Sequence, residues 1–150
     1  MAELEELSYK EVIEQGIKSE MNAQTKYEAV AKANYSYALS ENLRFLLKQE
    51  KQHEKQLREL FKKEFPNEKP HIPDEALKPA PDIELESESI GELLEEAMES
   101  EKESTMFYKH LADRFDDDKR KELANYLAHM ERGHYKILKH QLETLKKYGG

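Results

Sequence analysis

Cysteine is absent, and its absence removes disulfide frameworks, Cys-based zinc sites, iron–sulfur clusters and thiol chemistry together. Apolar residues never run for the roughly 18 positions that a membrane-spanning helix requires. Nothing near Met1 reads as a signal peptide, so the expected compartment is the cytoplasm and no membrane partner is expected. Positive charge is not gathered into a patch: Lys and Glu are mixed along the chain, the net charge is −8, and nucleic acid is not an expected partner. Proline is confined, with all five residues at positions 66, 70, 73, 79 and 81. What surrounds that segment is free to be helical. At 150 residues the chain is about one domain, large enough to enclose one core.

What is present is a repeat. Glu50-x-x-His53 recurs as Glu131-x-x-His134, a displacement of 81 residues. The same displacement carries Ser8 onto Ser89, Glu11 onto Glu92, Ser19-Glu20 onto Ser100-Glu101, Tyr27 onto Tyr108, Ala31 onto Ala112, Leu46 onto Leu127 and Leu57 onto Leu138, without a gap. Two copies of one supersecondary unit are expected to pack with equivalent faces together. Here those faces carry Glu and His.

Each copy reads as a helical hairpin. Ser8-x-x-Glu11 is a capping box that predicts a helix start, and Ile13, Ile17, Glu20, Gln24, Tyr27 and Ala31 then fall on one stripe. That helix is expected to end within residues 34–39, with Ser40 capping a second helix whose stripe is Leu43, Leu46, Glu50, His53, Leu57 and Leu60. The second helix stops near Phe65, ahead of Pro66. Residues from about 66 to 88 are a crossover; Ser89-x-x-Glu92 is the second capping box and opens a stripe of Ile90, Leu94, Ala97, Glu101, Thr105, Tyr108 and Ala112. Asp116-Asp117-Asp118 ends it and places negative charge at the start of a fourth helix, with stripe Leu123, Leu127, Glu131, His134, Leu138 and Leu145, fraying at Gly149-Gly150. Helices of about 26 residues are roughly 39 Å long, a span that some 22 crossover residues at up to about 3.3 Å each can cover. The second and third helices can therefore run parallel. The fold expected is an all-α, antiparallel four-helix bundle of ferritin-like topology, one domain over 1–150 built from hairpins at about 8–65 and 89–148.

Carboxylates inside apolar stripes need a chemical reason. Glu20 and Glu50 are 30 residues apart across one hairpin, as are Glu101 and Glu131 across the other, so all four lie at one height with His53 and His134 beside them. Uncompensated, such a cluster costs several kcal/mol per charge. Two divalent cations balance four carboxylates, and two neutral imidazoles complete the coordination. Oxygen and nitrogen donors without thiolate suit iron first, with manganese or zinc as the other ions such a set accepts. A bland reading leaves the glutamates on solvated faces and the histidines as satisfied core residues; their place in the stripes argues against it. Tyr27 and Tyr108 can be core-edge packing. Glu28, Glu54, Glu99 and Glu103 read as solvent-facing, His71, His110, His129 and His140 as surface residues, and Met21, Met98, Met106 and Met130 as packing.

One Glu from each of two helices and a Glu-x-x-His from each of the other two is the ferritin-like di-metal pattern, and from Ser8 to about Tyr148 the sequence resembles the rubrerythrin branch of that superfamily. The resemblance implies Glu20 and Glu101 as terminal ligands, Glu50 and Glu131 as bridges, His53 and His134 on one metal each, and Tyr27 and Tyr108 as tyrosines hydrogen-bonded to ligand carboxylates. It implies a di-iron centre that reduces hydrogen peroxide or dioxygen, with the centre itself as the catalytic group, in a homodimer. The Cys-rich rubredoxin domain of that family has no counterpart here, so electrons are expected from an external donor protein. Where the family carries a further glutamate three residues after the third-helix ligand, this chain has Ser104, and the symmetric ligand set is closer to bacterioferritin. Ferroxidase or iron-handling activity and a metal-free helical interaction module are the alternative functions.

Overall fold

The computed structural model describes residues 8–33, 37–72 and 87–148. Four helices carry nearly all of them: α1 (Tyr9–Ala33), α2 (Tyr37–Glu64), α3 (Ser87–Arg114) and α4 (Asp118–Lys147). The first capping box forms as expected, with Ser8 N–H donating to Glu11 Oε1 and Glu11 N–H to Ser8 Oγ, both at 3.1 Å. Such reciprocal caps satisfy two amides that the first turn leaves over. Asp117 caps α4 by accepting from the Arg120 amide at 3.0 Å. Pro66 follows the last bond of α2, from Phe65 N–H to the Phe61 carbonyl.

Two helix starts and two stripe positions need correction. Ser40 does not cap α2, which already begins at Tyr37; its hydroxyl donates to the Ala31 carbonyl across the hairpin at 3.3 Å. The third helix begins at Ser87, two residues ahead of the expected box, so Ser89 is inside the first turn. On α2 it is Phe61, 1% exposed, that enters the core where Leu60 was expected, and on α4 Leu142 enters ahead of Leu145. Phe61 follows Leu57 by four residues and lies about 40° round the helix from it, whereas Leu60, three residues on, lies about 60° away on the other side. The acidic lead 1–7, the turn residues 34–36, most of the crossover at 73–86, the Ser89 side chain and Gly149-Gly150 lie outside the described residues.

The helices close a ring in which α1 packs on α2 and α3, and α4 on α3 and α2. The α2–α4 seam is the loosest of the four. Two apolar clusters fill the ends. One joins Ile13 and Ile17 of α1 to Leu57 and Phe61 of α2, Leu111 of α3 with Phe115 just after it, and Ala124 and Leu127 of α4. The other joins Tyr27 and Val30 to Leu43 and Leu46, Ile90 and Leu94, and Leu138 and Leu142. The N-terminal parts of α1 and α4 therefore share one end with the C-terminal parts of α2 and α3. Hence α2 and α3 run parallel and the crossover must return the length of the bundle, the topology expected from the sequence. Its described start does so beside α1: Lys10 Nζ donates to Glu68 Oε1 at 2.6 Å, and one turn along, His71 N–H donates to Glu14 Oε2 at 2.5 Å. Burying each large aliphatic side chain of these clusters stabilises by roughly 1.5–3 kcal/mol. Between them lies a polar layer, and that layer is the site.

Candidate metal centre

Each helix contributes to the layer at mid-length. Glu20 comes from α1, Glu50 and His53 from α2, Glu101 from α3, and Glu131 and His134 from α4; all six are at most 2% exposed. The i, i+3 spacing on α2 and α4 sets Glu and His one turn apart on the face that the flanking leucines already turn inward. His53 Nδ1 lies 2.9 Å from Glu131 Oε1, 3.2 Å from Glu50 Oε1 and 3.6 Å from Glu20 Oε2. His134 Nδ1 mirrors it, at 2.9 Å from Glu50 Oε1, 3.6 Å from Glu131 Oε1 and 3.7 Å from Glu101 Oε2. The two rings stack with centroids 5.7 Å apart and planes 13° apart.

These atoms sort into two sets whose members lie within 4.8 Å of one another: Glu20, Glu50, His53 and Glu131, and Glu50, Glu101, Glu131 and His134. Glu50 and Glu131 belong to both. All six sequence-proposed residues are thus brought together, Glu50 and Glu131 being common to both sets.

The outer oxygens of the unshared pair are already taken. Tyr108 hydroxyl donates to Glu20 Oε1 and Tyr27 hydroxyl to Glu101 Oε1, each across from its own hairpin to the other. Helical side chains lean towards the N-terminus of their helix. Tyr27 and Tyr108, two turns beyond Glu20 and Glu101, therefore lean back to the level of the layer and meet the carboxylate of the neighbouring helix. What remains without a hydrogen bond is informative. Glu20 Oε2, both oxygens of Glu50, His53 Nδ1, Glu101 Oε2, both oxygens of Glu131 and His134 Nδ1 are buried without a well-formed hydrogen bond and face one another. That is one oxygen from each unshared carboxylate, two from each shared one and one nitrogen from each histidine. Buried polar atoms are otherwise almost always satisfied, and the residues that carry these atoms form two groups of candidate ligands with Glu50 and Glu131 in common. Four carboxylate charges match two dications. The residues fit divalent metal.

Without cations the electrostatics are strained. Burial, then Glu20 and Glu101, push the Glu50 carboxyl well above its ordinary 4.5. Burial, then Glu20 and Glu50, do the same to Glu131, and burial with Glu131 to Glu101. Burial works against charge on His53, but contacts with Glu131, Glu20 and Glu50 outweigh it and push this imidazole up to about 12. Burial and the charge on His53 then depress His134 to about 3. The pair thus takes one proton, a partial substitute for a cation. Tyr27 and Tyr108 are raised well above 10 by burial and by the carboxylates they face, so both hydroxyls keep the protons they donate.

Residues outside the sets behave mostly as expected. His71, His110, His129 and His140 are exposed, as are Glu99 and Glu103, while Glu28 is half-buried. Glu54, expected to face solvent, is half-buried because Gln24 Nε2 and Arg58 Nε both donate to it at 2.8 Å. Met21 packs in the core, whereas Met106, expected to pack, is 61% exposed. Ser104 is buried against Ser19, Oγ to Oγ at 3.0 Å, and belongs to neither set. One participant was given no role from sequence: Gln49, whose Oε1 is 2.6 Å from His134 Nε2. The signal was the repeat itself, because the position 81 residues on is Met130.

The family model for rubrerythrin matches residues 11–142. A solved structure, a hypothetical protein from Pyrococcus furiosus, is similar at 30% identity with a TM-score of 0.87, covering 97% of this chain and 95% of its own. No curated protein matches the sequence. Among the described residues no helix is long and apolar enough to cross a membrane.

Proposed function

The chain belongs to the rubrerythrin family, and from that membership we propose that its buried cage holds two iron ions and reduces hydrogen peroxide or dioxygen, with electrons from an external donor protein. The observation that carries the reading is the set of unpartnered ligand atoms, shared between two groups through Glu50 and Glu131. When bound, two adjacent ferrous ions supply two electrons, the number peroxide takes up with two protons on becoming two waters.

The chain's own residues have defined tasks. Glu50 and Glu131 would serve both positions, because each belongs to both sets of candidate ligands. Glu20 and Glu101 are held by the opposite hairpin's tyrosine, so each presents a single oxygen inward. The histidines present Nδ1 to the cage. Leucine and aromatic layers above and below keep bulk water from the polar layer, in which electrostatic interactions are stronger than in solvent.

Stopped-flow oxidation of the anaerobic, ferrous-loaded protein tests the activity. Oxidation by peroxide well faster than that of free ferrous iron, and restored over further cycles by a reductant, is expected; no acceleration sinks the reading. Ferroxidase or iron-handling activity is the second reading, favoured by Ser104, which puts a hydroxyl bonded to Ser19 where a further carboxylate would otherwise stand. Storage requires a many-subunit shell, whereas the reductase reading requires only the proposed homodimer. A shell on a sizing column would reverse the order of the two.

A further inference from the structure

The two halves of the cage match in every ligand, but beside the two histidines the repeat places different residues. On one side, Gln49 of α2 reaches across the α2–α4 seam to His134 Nε2 at 2.6 Å. An amide oxygen can only accept, so at this contact Nε2 carries the proton and Gln49 Oε1 receives the hydrogen bond. On the other side, the residue 81 positions after Gln49 is Met130, whose thioether is at best a weak acceptor. An acceptor on the outer nitrogen fixes the tautomer that leaves Nδ1 free, holds the ring's orientation and raises the basicity of the binding nitrogen.

Resting on the two-metal reading, we propose that Gln49 is a positioning residue that makes the two metal positions unequal: the Glu101–His134 position binds a divalent ion more tightly and fills first, and the Glu20–His53 position is the exchangeable one. Partners of this kind typically alter metal affinity about 10- to 100-fold. The repeat supplies the control. Met130→Gln gives both histidines an acceptor and Gln49→Met gives neither, while the double exchange moves the acceptor from one side to the other.

The test is anomalous diffraction at the cobalt edge from crystals of the full chain equilibrated with one equivalent of Co2+. In the wild type, occupancy beside His134 is expected to exceed that beside His53 by about tenfold or more. Either single variant brings the two occupancies together, and Gln49→Met/Met130→Gln reverses the order. A Gln49 that only braces the seam would alter the melting temperature without reversing anything. Equal occupancies in the wild type, or a preference that the exchange does not move, overturns the proposal. Should Gln49→Met fail to fold, Met130→Gln decides alone, since it must raise occupancy beside His53. No cobalt at either position, even in excess, would instead overturn the two-metal reading.

Discussion

Replacing Glu50 by Gln should have opposite effects on the empty and the loaded protein. Its carboxyl is 0% exposed, and both oxygens lack a hydrogen-bond partner. Burial and the repulsion of Glu20 and Glu101 raise its pKa well above the ordinary 4.5, so the metal-free fold at pH 7 must either protonate it or carry its charge. At about 1.4 kcal/mol per pH unit, the interval from 4.5 to 7 limits this cost to about 3.5 kcal/mol. Glutamine fills the same space with no proton to acquire. The variant should therefore melt higher than wild type in chelator at pH 7, by roughly 2 to 10 °C for a chain of this size. The gain should vanish near pH 4, where the carboxyl is protonated in folded and unfolded chains alike. Loaded with metal the sign reverses, because an amide is a poor substitute for a carboxylate that serves both positions. Saturation at about 100 times Kd stabilises by about 2.7 kcal/mol per site, and the variant should lose most of this. Circular dichroism melts of both proteins, with chelator and with Co2+, at pH 7 and pH 4, provide the measurement. A variant that melts lower than wild type in chelator at pH 7, or that gains equally at pH 4, would refute the reasoning.

The stability of the metal-free protein should fall between pH 5 and pH 8. Groups whose folded pKa is raised (Glu50, Glu101, Glu131 and His53) stabilise fully below their unfolded values and lose that contribution as pH rises; the depressed His134 opposes them only below its ordinary 6.5. Urea titrations across that range check this, and a chelated protein more stable at pH 8 would contradict it. Tyr108→Phe removes the donor to Glu20 Oε1 and leaves a buried carboxylate oxygen unpartnered, at about 1–3 kcal/mol of loaded-state stability by denaturant titration; an unchanged midpoint would count against the crossed pairing. Gly133→Ala should stabilise by about 0.5–1 kcal/mol, since a helical glycine costs that much against alanine and a Cβ there meets nothing within 4 Å. Gly16→Ala should gain less, because its Cβ would lie 3.2 Å from both Leu57 and Phe107; equal gains would show that the packing at Gly16 yields freely.

Much of the site was legible because the repeat and the stripes constrain the same residues. A glutamate at a core position of a long amphipathic helix is an anomaly, and four at one height with two histidines have few physical solutions. The crossover was legible from proline confinement, and the first capping box from Ser8 and Glu11, whose local bonds need no tertiary partner. Helix ends were harder to read: Ser40 has the chemistry of a cap, but the bond its hydroxyl makes is to Ala31 on the neighbouring helix. Three-dimensional reach was hidden as well. Spacing puts Tyr27 on the stripe of Glu20, yet the carboxylate it meets is Glu101, 74 residues away. Gln49 went unassigned because its role exists only across a seam between two helices that sequence order does not make neighbours.

The most direct test is elemental analysis after anaerobic ferrous reconstitution and desalting, on the wild type and on Glu50→Gln. About two iron ions per chain are expected in the wild type, and a clear loss in the variant. Retention of none by the wild type, or of the same amount by both proteins, would contradict the claim that this buried layer of carboxylates and imidazoles exists to hold two cations.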